Sequence, residues 1–214
     1  MPKNAASATT NAILITRAGT AIVDQGRRSK AGLIRIRSNV RLRQWSCQNT
    51  QREKWLEARK AELLPVTYFH VVFTIPEQLA RIAFYNKEVV YGILFRTAAE
   101  TLLTIARDPK HLGAEIGFFG ILHTWGQNLL HHPHVHFVVP GGGLSPDYER
   151  WVLGKPQFFL PVRVLSSLFR SLFLEALRDA FHSHKLRFFG DIAALKDRTA
   201  FAEYLEPLRE SDWV

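Results

Sequence analysis

The hydrophobic and polar positions of this chain alternate between short strand-like runs and longer helical stripes. Residues 67–75 are mostly β-branched or aromatic and stop at Pro76, which predicts a strand. Residues 78–108 carry apolar side chains three or four positions apart, which predicts one long helix with a buried stripe. Apolar doublets four positions apart predict a second long helix over 162–185, and a shorter helix over 191–205 is predicted to end at Pro207.

Two further runs, 117–124 and 134–139, predict strands joined by a loop that returns the chain antiparallel. Residues 150–153 and 157–160 predict a small hairpin, and residues 212–214 resemble the opening of another strand. This order of elements predicts an α+β fold with a central antiparallel sheet flanked by long helices.

The first part of the chain has a different character. Residues 1–45 show weak periodicity and many small or basic residues, which predicts a poorly ordered arm. A short amphipathic helix is predicted over 48–64 and ends at Pro65, because proline cannot continue the hydrogen-bond ladder. The hydrophobic share of 47% is sufficient for a core in the remainder of the 214 residues.

The excess positive charge is confined to the N-terminal arm. Residues 1–60 contain 13 Lys or Arg against three Asp or Glu, whereas the whole chain has a net charge of +9. Such an arm suits a phosphate backbone, although a basic tail without a specific partner has the same composition. The residues assigned to DNA contact are Arg27, Arg28, Lys30, Arg35, Arg37, Arg41 and Arg43.

The cysteine content and the hydropathy of the chain indicate its cellular compartment. Cys47 is the only cysteine, so no disulfide framework and no oxidising compartment are implied. Neither an apolar run long enough to span a membrane nor a signal-peptide pattern is found, so we expect no membrane association. A bacterial cytoplasmic protein fits these features.

Five of the nine histidines lie within 14 residues, at positions 123–136. Side chains on a strand alternate between faces, so His134 and His136 project from the same face, roughly 6.5–7 Å apart along the backbone. Val135 projects from the opposite face, toward a core. The pair predicts a metal site, although a histidine pair on a half-exposed strand can also be without a ligand.

The third metal ligand is left open by the sequence. Gln127 lies in the predicted loop, and His123 lies on the preceding strand, where it is either a core residue or directed into the site. Two imidazoles and one oxygen donor suit Mg²⁺ or Mn²⁺ holding a phosphate. His131 and His132 are assigned to the loop, and His132 to a phosphate contact. The three glycines at 141–143 suggest a close approach of backbone to a ligand.

Three segments together resemble a known family: LPVTYFHVVFTIP at 64–76, LHTWGQNLL at 122–130 and HPHVHFVVPGGGLSP at 132–146. They are similar to rolling-circle transposases of the two-tyrosine HUH class, of the insertion-sequence ninety-one and eight-hundred-one type. The resemblance extends from about residue 47 to 214. It implies an enzyme that nicks single-stranded DNA through a phosphotyrosine, with the cation held by His134 and His136. His70 and Thr74 share one face of the strand that matches the first motif and are candidates for the edge of the site, but strand parity does not say which face they share.

The chain departs from the family pattern in two places. The paired catalytic tyrosines of the family lie beyond position 214, so we expect no tyrosine nucleophile here, and Tyr204 is interpreted as a packing residue. The zinc module of the family retains only Cys47, so a structural zinc is not expected. These departures divide the chain into a divergent arm (1–46), a linker helix left from the zinc module (47–64) and an HUH domain truncated before its tyrosines (65–214).

Three functions are therefore considered from the sequence. The first is an inactive transposase fragment that binds a divalent cation and single-stranded DNA. The second is a non-catalytic DNA-binding or regulatory remnant that uses the basic arm. The third, an unrelated metallohydrolase with an HxH motif, is disfavoured because the large barrel hydrolases need about 250 residues and further ligands. The sequence does not predict an oligomeric state.

Overall fold

A computed structural model describes residues 11–15, 21–23, 54, 57, 63–126, 130–155, 157, 159–211 and 213. The chain divides into two compact units, residues 1–24 with 67–214, and residues 25–66. In the second unit Lys54 and Glu57 are helical, within the helix predicted over 48–64, whereas Leu63 and Leu64 at its predicted end are not helical. The other residues of that predicted helix lie outside the described residues.

The elements of the first unit follow one another in this order: β1 (Asn11–Ile15), β2 (Ala21–Val23), β3 (Tyr68–Thr74), α1 (Glu77–Tyr85), α2 (Lys87–Arg107), β4 (Phe119–Trp125), β5 (His131–Pro140), β6 (Gly142–Leu144), β7 (Trp151–Leu153), α3 (Val162–His182), a 3-10 helix (Gly190–Lys196) and α4 (Arg198–Glu210).

Five of the described strands form an antiparallel sheet in the order β2-β1-β4-β5-β3, and β6 and β7 form a separate two-stranded sheet. Strand β5 lies inside the five-stranded sheet, between β4 and β3. Its register places His134 opposite both Thr74 and His123, and His136 opposite Val72 and Ile121. The α+β class and the flanking helices predicted from the sequence are confirmed.

The core lies on one face of the sheet. Val135, Phe137 and Val139 are fully buried there, as the alternation of β5 predicts. The Phe137 ring meets the rings of Phe95 on α2 and of Phe118 edge-on, at centroid distances of 5.4 and 4.8 Å. Helices α1 and α2 pack against β5 on this face, and Phe169 of α3 contacts Phe73 of β3, so the alternate side chains of β5 are left on the other, open face of the sheet.

Two strands come from the segment that was expected to be a poorly ordered arm. β1 pairs with β4, and β2 pairs with β1, so the sheet extends beyond β4. The runs that form them are short, apolar and rich in isoleucine, which favours strands once a neighbouring edge is available. These two strands lie within the segment predicted to be a poorly ordered arm, and the rest of residues 1–46 lies outside the described residues.

The helix predicted over 78–108 is interrupted at Asn86, which separates α1 from α2. Asn86 has φ −130° and ψ 45°, and its side chain donates to the carbonyls of Ile82 and Arg187 at 2.9 and 2.8 Å. The apolar stripe continues across the interruption, so periodicity alone did not reveal it.

The sequence suggested that the glycine run approaches a ligand, and the structure shows these glycines against the protein's own chain. Gly142 and Gly143 lie on β6, which pairs with β7, and this pairing replaces the hairpin predicted for 150–160. A Cβ at Gly142 would come within 2.5 Å of the Trp151 indole, and one at Gly143 would collide with the Glu115 carbonyl. The glycines therefore allow the protein to pack closely against itself.

The C-terminal region also differs from its prediction. The predicted helix over 191–205 is a 3-10 helix followed by α4, which continues past Pro207 to Glu210. The last turn is held by buried Leu208, whose carbonyl accepts from the Trp213 indole at 3.0 Å. Trp213 is a buried residue packed against Phe169 and Phe173 and is not in a strand, while residues 212 and 214 lie outside the described residues.

Helix α2 meets the length and hydropathy criteria for a membrane span. However, 61% of its most apolar window is buried inside the protein. Its side chains Leu94, Ala98 and Leu102 are fully buried in the same core as β5. The apolar character of α2 is therefore explained by its place in the core.

Candidate metal centre

Three histidines converge on the open face of the sheet. Strand alternation places His134 and His136 on this face of β5, and the antiparallel register places His123 of β4 directly opposite His134. The sequence left His123 either in the core or in the site. The exposure of Phe119 on the same face of β4 shows that this face is open, so His123 lies in the site.

One ligand nitrogen from each of the three imidazoles lies within 4.8 Å of the other two. The ring centroids are 4.3 Å apart for His123 and His136, 4.8 Å for His134 and His136, and 5.4 Å for His123 and His134. Small side-chain rotations bring three such nitrogens to the distance of about 2.0–2.1 Å from one ion that imidazole ligands require. The triad of His123, His134 and His136 can therefore hold a metal ion.

Hydrogen bonds at the second ring nitrogen orient two of the three ligands. His134 Nδ1 donates to the His132 carbonyl at 2.7 Å, which leaves the lone pair on Nε2. His136 Nδ1 lies 2.7 Å from His70 Nε2. His136 Nε2 is buried and has no hydrogen-bond partner among the described residues. An unpaired buried nitrogen beside two other imidazoles is the arrangement that a metal ion would complete.

The local electrostatics favour the neutral, ligating form of the His123 and His136 rings. Burial, together with the nearby His123, His134 and His70, lowers the pKa of His136 to about 4. Burial and then His134 lower the pKa of His123. Neutral imidazole is the form that coordinates a metal ion, so these groups do not need to lose a proton near pH 7.

Two residues were candidates for the third ligand. Gln127 lies outside the described residues, and His123 is the candidate that the structure brings beside His134 and His136. Three imidazole nitrogens suit divalent first-row transition metals, whereas Mg²⁺ prefers oxygen ligands. The residues therefore fit a cation such as Mn²⁺ or Zn²⁺ better than Mg²⁺.

His131 and His132 were assigned to a loop, but both lie on β5. His132 is on the open face, where its Nε2 is 2.7 Å from Thr74 Oγ1. His131 is on the opposite face, between Tyr91 and the carbonyl of Ala80. Counting strand parity back from His134 would have found both positions, but the proline at 133 suggested a break.

His70 is the residue whose role the sequence could least define. Strand parity grouped it with Thr74 but did not say which face the two share. The β3–β5 register puts both on the open face, where His70 and His136 form a hydrogen bond, with ring centroids 4.9 Å apart and ring planes within 8° of parallel.

The remaining residues with a predicted role lie away from the histidine triad or outside the described residues. The seven basic residues of the arm, from Arg27 to Arg43, lie outside the described residues. Tyr204 donates to the carbonyl of Gln78 at 2.8 Å, and burial raises the pKa of its hydroxyl, as expected of a packing residue. Tyr91 is bonded to His131, on the face of the sheet opposite the triad.

Comparison with known proteins gives two family matches, to a putative transposase over residues 117–214 and to a transposase zinc-binding domain over residues 44–75. The putative transposase y4qJ of Sinorhizobium fredii (strain NBRC 101917 / NGR234) is 66% identical over 168 residues, which cover 78% of this chain and 42% of that protein. The transposase for insertion sequence element IS801 of Pseudomonas savastanoi pv. phaseolicola is 39% identical over 100 residues, 47% of this chain and 23% of that protein.

The two family matches and the two relatives support a rolling-circle HUH transposase of the insertion-sequence ninety-one family. Of the three motifs that carried the resemblance, the one at 64–76 lies within the zinc-binding match except for its last residue, and those at 122–130 and 132–146 lie within the transposase match. The chain spans less than half the length of each of these two curated relatives.

Among solved structures, the conjugative relaxase TrwC in complex with OriT DNA, in a metal-free structure, has a TM-score of 0.43 at 15% identity, covering 64% of this chain and 53% of that chain. TrwC complexed with a 27-mer DNA comprising the recognition hairpin and the cleavage site has a TM-score of 0.44 at 16% identity, covering 64% of this chain and 54% of that chain. Likenesses this distant carry no argument about activity.

The prediction that structural zinc is absent is wrong. The transposase zinc-binding domain matches residues 44–75, which points to zinc in this family segment. The prediction counted cysteines and found only Cys47, but the match covers the whole pattern around that position and extends through β3. A count of ligand residues does not measure that surrounding pattern.

Proposed function

We propose that this chain is the metal- and DNA-binding part of a transposase that cuts and transfers DNA strands. The observation that supports it is the His123, His134 and His136 triad on the open face of the sheet, with the unpartnered Nε2 of His136 among the three rings. A divalent cation bound there supplies charge that polarises a phosphate and stabilises a departing oxygen. Action on DNA would place the protein in the bacterial cytoplasm.

The residues around the triad suit unpaired DNA. Phe119, Val72 and Val138 flank the histidines on the same face and are 44%, 44% and 39% exposed. Exposed apolar side chains beside a phosphate-binding site can contact the faces of unpaired bases, and an aromatic ring such as Phe119 can stack on one. The proposed substrate is therefore single-stranded DNA.

The proposal does not assign Tyr91 or Tyr204 as the nucleophile. Burial raises the pKa of both hydroxyls, that of Tyr91 to about 12, so both remain protonated and poorly nucleophilic. Both also face structural partners, His131 and the carbonyl of Gln78. This chain is proposed to bind the cation and DNA without forming a covalent adduct through these two residues.

A titration with Mn²⁺ and Zn²⁺ tests the metal site. We expect the His134→Ala/His136→Ala double variant to lose one binding event per chain that the Val138→Ala variant keeps, because Val138 shares the strand and the face but offers no ligand. Any zinc bound through residues 44–75 remains in all three proteins, so the difference between them isolates the triad. Identical binding in the double variant and the wild type would refute the site.

A fluorescence-anisotropy measurement tests DNA binding with single-stranded and duplex oligonucleotides. We expect Mn²⁺ to strengthen binding of the single strand in the wild type and not in the double variant. DNA binding that is equal in both proteins and only falls with salt would instead indicate a non-catalytic DNA-binding protein. If the wild type formed a covalent adduct with DNA and the Tyr204→Phe variant did not, the assignment of Tyr204 as a packing residue would be contradicted.

A further inference from the structure

We infer that His70 is a positioning residue that fixes the tautomer and the ring orientation of His136. This inference rests on the proposed function only where it concerns the bound cation. The hydrogen bond between His70 Nε2 and His136 Nδ1 is 2.7 Å long, and the two rings are parallel within 8°. A short hydrogen bond between two rings whose planes are nearly parallel restrains both the tilt and the rotation of the His136 side chain.

The protonation of His136 follows from where its two nitrogens lie. Nε2 is buried without a partner, and a proton there would be an N–H group buried without an acceptor. Placing the proton on Nδ1 lets that nitrogen donate to His70 Nε2 and leaves a lone pair on Nε2, among the three rings. His70 then carries its own proton on Nδ1, which its exposed position allows.

His70 cannot ligate the same ion in this arrangement. It is bonded to the Nδ1 side of the His136 ring, whereas the ligating lone pair lies on the Nε2 side. The three nitrogens that come within 4.8 Å of one another belong to His123, His134 and His136. His70 therefore acts on the ion through His136, as the outer partners of metal-binding histidines commonly do.

The two ligands on β5 are oriented by different kinds of acceptor. His134 is held by the backbone carbonyl of His132, which no substitution removes. His136 is held by a side chain from the neighbouring strand, and the register that pairs Val72 with His136 brings His70 within diagonal reach. The geometry of His136 therefore depends on the identity of residue 70.

Three variants separate positioning from other roles. His70→Leu removes the acceptor, and His70→Gln keeps one, because its amide oxygen lies close to where Nε2 was. Val72→Ala is the matched control, since Val72 is exposed on the same face of β3 and pairs directly with His136. Circular dichroism and thermal unfolding establish that each variant is folded, and the exposure of His70 makes similar midpoints the expectation.

The first readout is the tautomer of His136 in the metal-free protein, measured from long-range nitrogen–proton correlations of the imidazoles. We expect the proton on Nδ1 in the wild type, in His70→Gln and in Val72→Ala, and its partial or complete transfer to Nε2 in His70→Leu. A wild-type His136 protonated on Nε2, or a tautomer unaffected by His70→Leu, would overturn the inference.

The second readout is metal affinity, measured with Mn²⁺ and Co²⁺. We expect about 10–100-fold weaker binding in His70→Leu and a change of less than a few-fold in His70→Gln and Val72→Ala. Equal affinity in all four proteins would also overturn the inference.

A Co²⁺ absorption spectrum that loses one nitrogen ligand in His70→Gln would make His70 a ligand and refute its positioning role. If even the wild type binds no metal at the triad, the proposed function fails, while the tautomer measurement still decides the role of His70.

Discussion

Each histidine of β5 takes its role from the face of the sheet on which it lies and from the partner of its second nitrogen. His134 and His136 share the open face, and their Nδ1 atoms are paired with the His132 carbonyl and with His70. His131, three residues before His134, lies on the opposite face and is paired with Tyr91 and with the carbonyl of Ala80. The same residue type therefore serves as a candidate ligand on one face and as a structural link on the other.

The Tyr91–His131 pair leads to a pH prediction. Burial raises the pKa of Tyr91 from about 10 to about 12. The unfolded chain therefore loses this proton at lower pH than the folded chain. The stability contributed by the buried neutral phenol is complete below pH 10 and is lost as the pH rises toward about 12.

We expect Tyr91→Phe to be less stable than the wild type at pH 7, by about 1–3 kcal/mol, because His131 loses its partner. We also expect this difference to shrink between pH 10 and 12, since the phenylalanine variant has no phenol to titrate. Urea unfolding at pH 7, 9, 10 and 11 measures both effects. A stability difference that is constant across this range would show that Tyr91 does not titrate differently in the folded state.

Among the elements, the junction of α1 and α2 depends on one side chain. Asn86 is 6% exposed, donates to the carbonyls of Ile82 and Arg187, and accepts from the Arg187 amide at 2.7 Å. It therefore interrupts a helix and also connects that interruption to the segment after α3. These hydrogen bonds explain why a polar residue occupies a buried position.

We expect Asn86→Ala to lower the free energy of unfolding by about 2–4 kcal/mol, because it leaves an amide and a carbonyl of Arg187 without their partner. Glu100→Ala is the control, since Glu100 is exposed on α2, and we expect a change within about 0.5 kcal/mol. Chemical denaturation of the three proteins measures the effect. Similar losses in both variants would show that the Asn86 hydrogen bonds contribute little.

For the whole molecule, the triad connects two strands of the sheet, because His123 comes from β4 and the other two ligands come from β5. A ligand that binds only the folded state stabilises it by mass action, by about 2.7 kcal/mol at a hundred times its Kd. We expect Mn²⁺ to raise the thermal unfolding midpoint of the wild type relative to the protein in EDTA.

The His134→Ala variant should lose this stabilisation, and Val138→Ala should keep it. A metal ion bound through residues 44–75 would stabilise both variants equally, so the difference between them reports on the triad alone. An equal rise in the midpoint of His134→Ala would mean that the stabilising ion is bound elsewhere.

The sequence by itself determined the strands β3, β4 and β5, the long helices α2 and α3, and the common face of His134 and His136. These features follow from local periodicity, since alternation on a strand and spacing on a helix are properties of neighbouring residues. It also determined the family, because three motifs in order carry more information than one histidine pair. The ligand count, in contrast, led to the wrong conclusion about zinc.

Only the tertiary structure decided how the strands pair, and with that the composition of the site. His123 and His70 lie 11 or more residues from His134 in the chain, and the registers of β4 and β3 against β5 bring them to its face. The same long-range packing decided the break at Asn86, the close approach around Gly142 and Gly143, and the burial of Trp213. A strand shifted by one residue would turn every side chain to the other face, so parity within a strand cannot determine the site until the register is fixed.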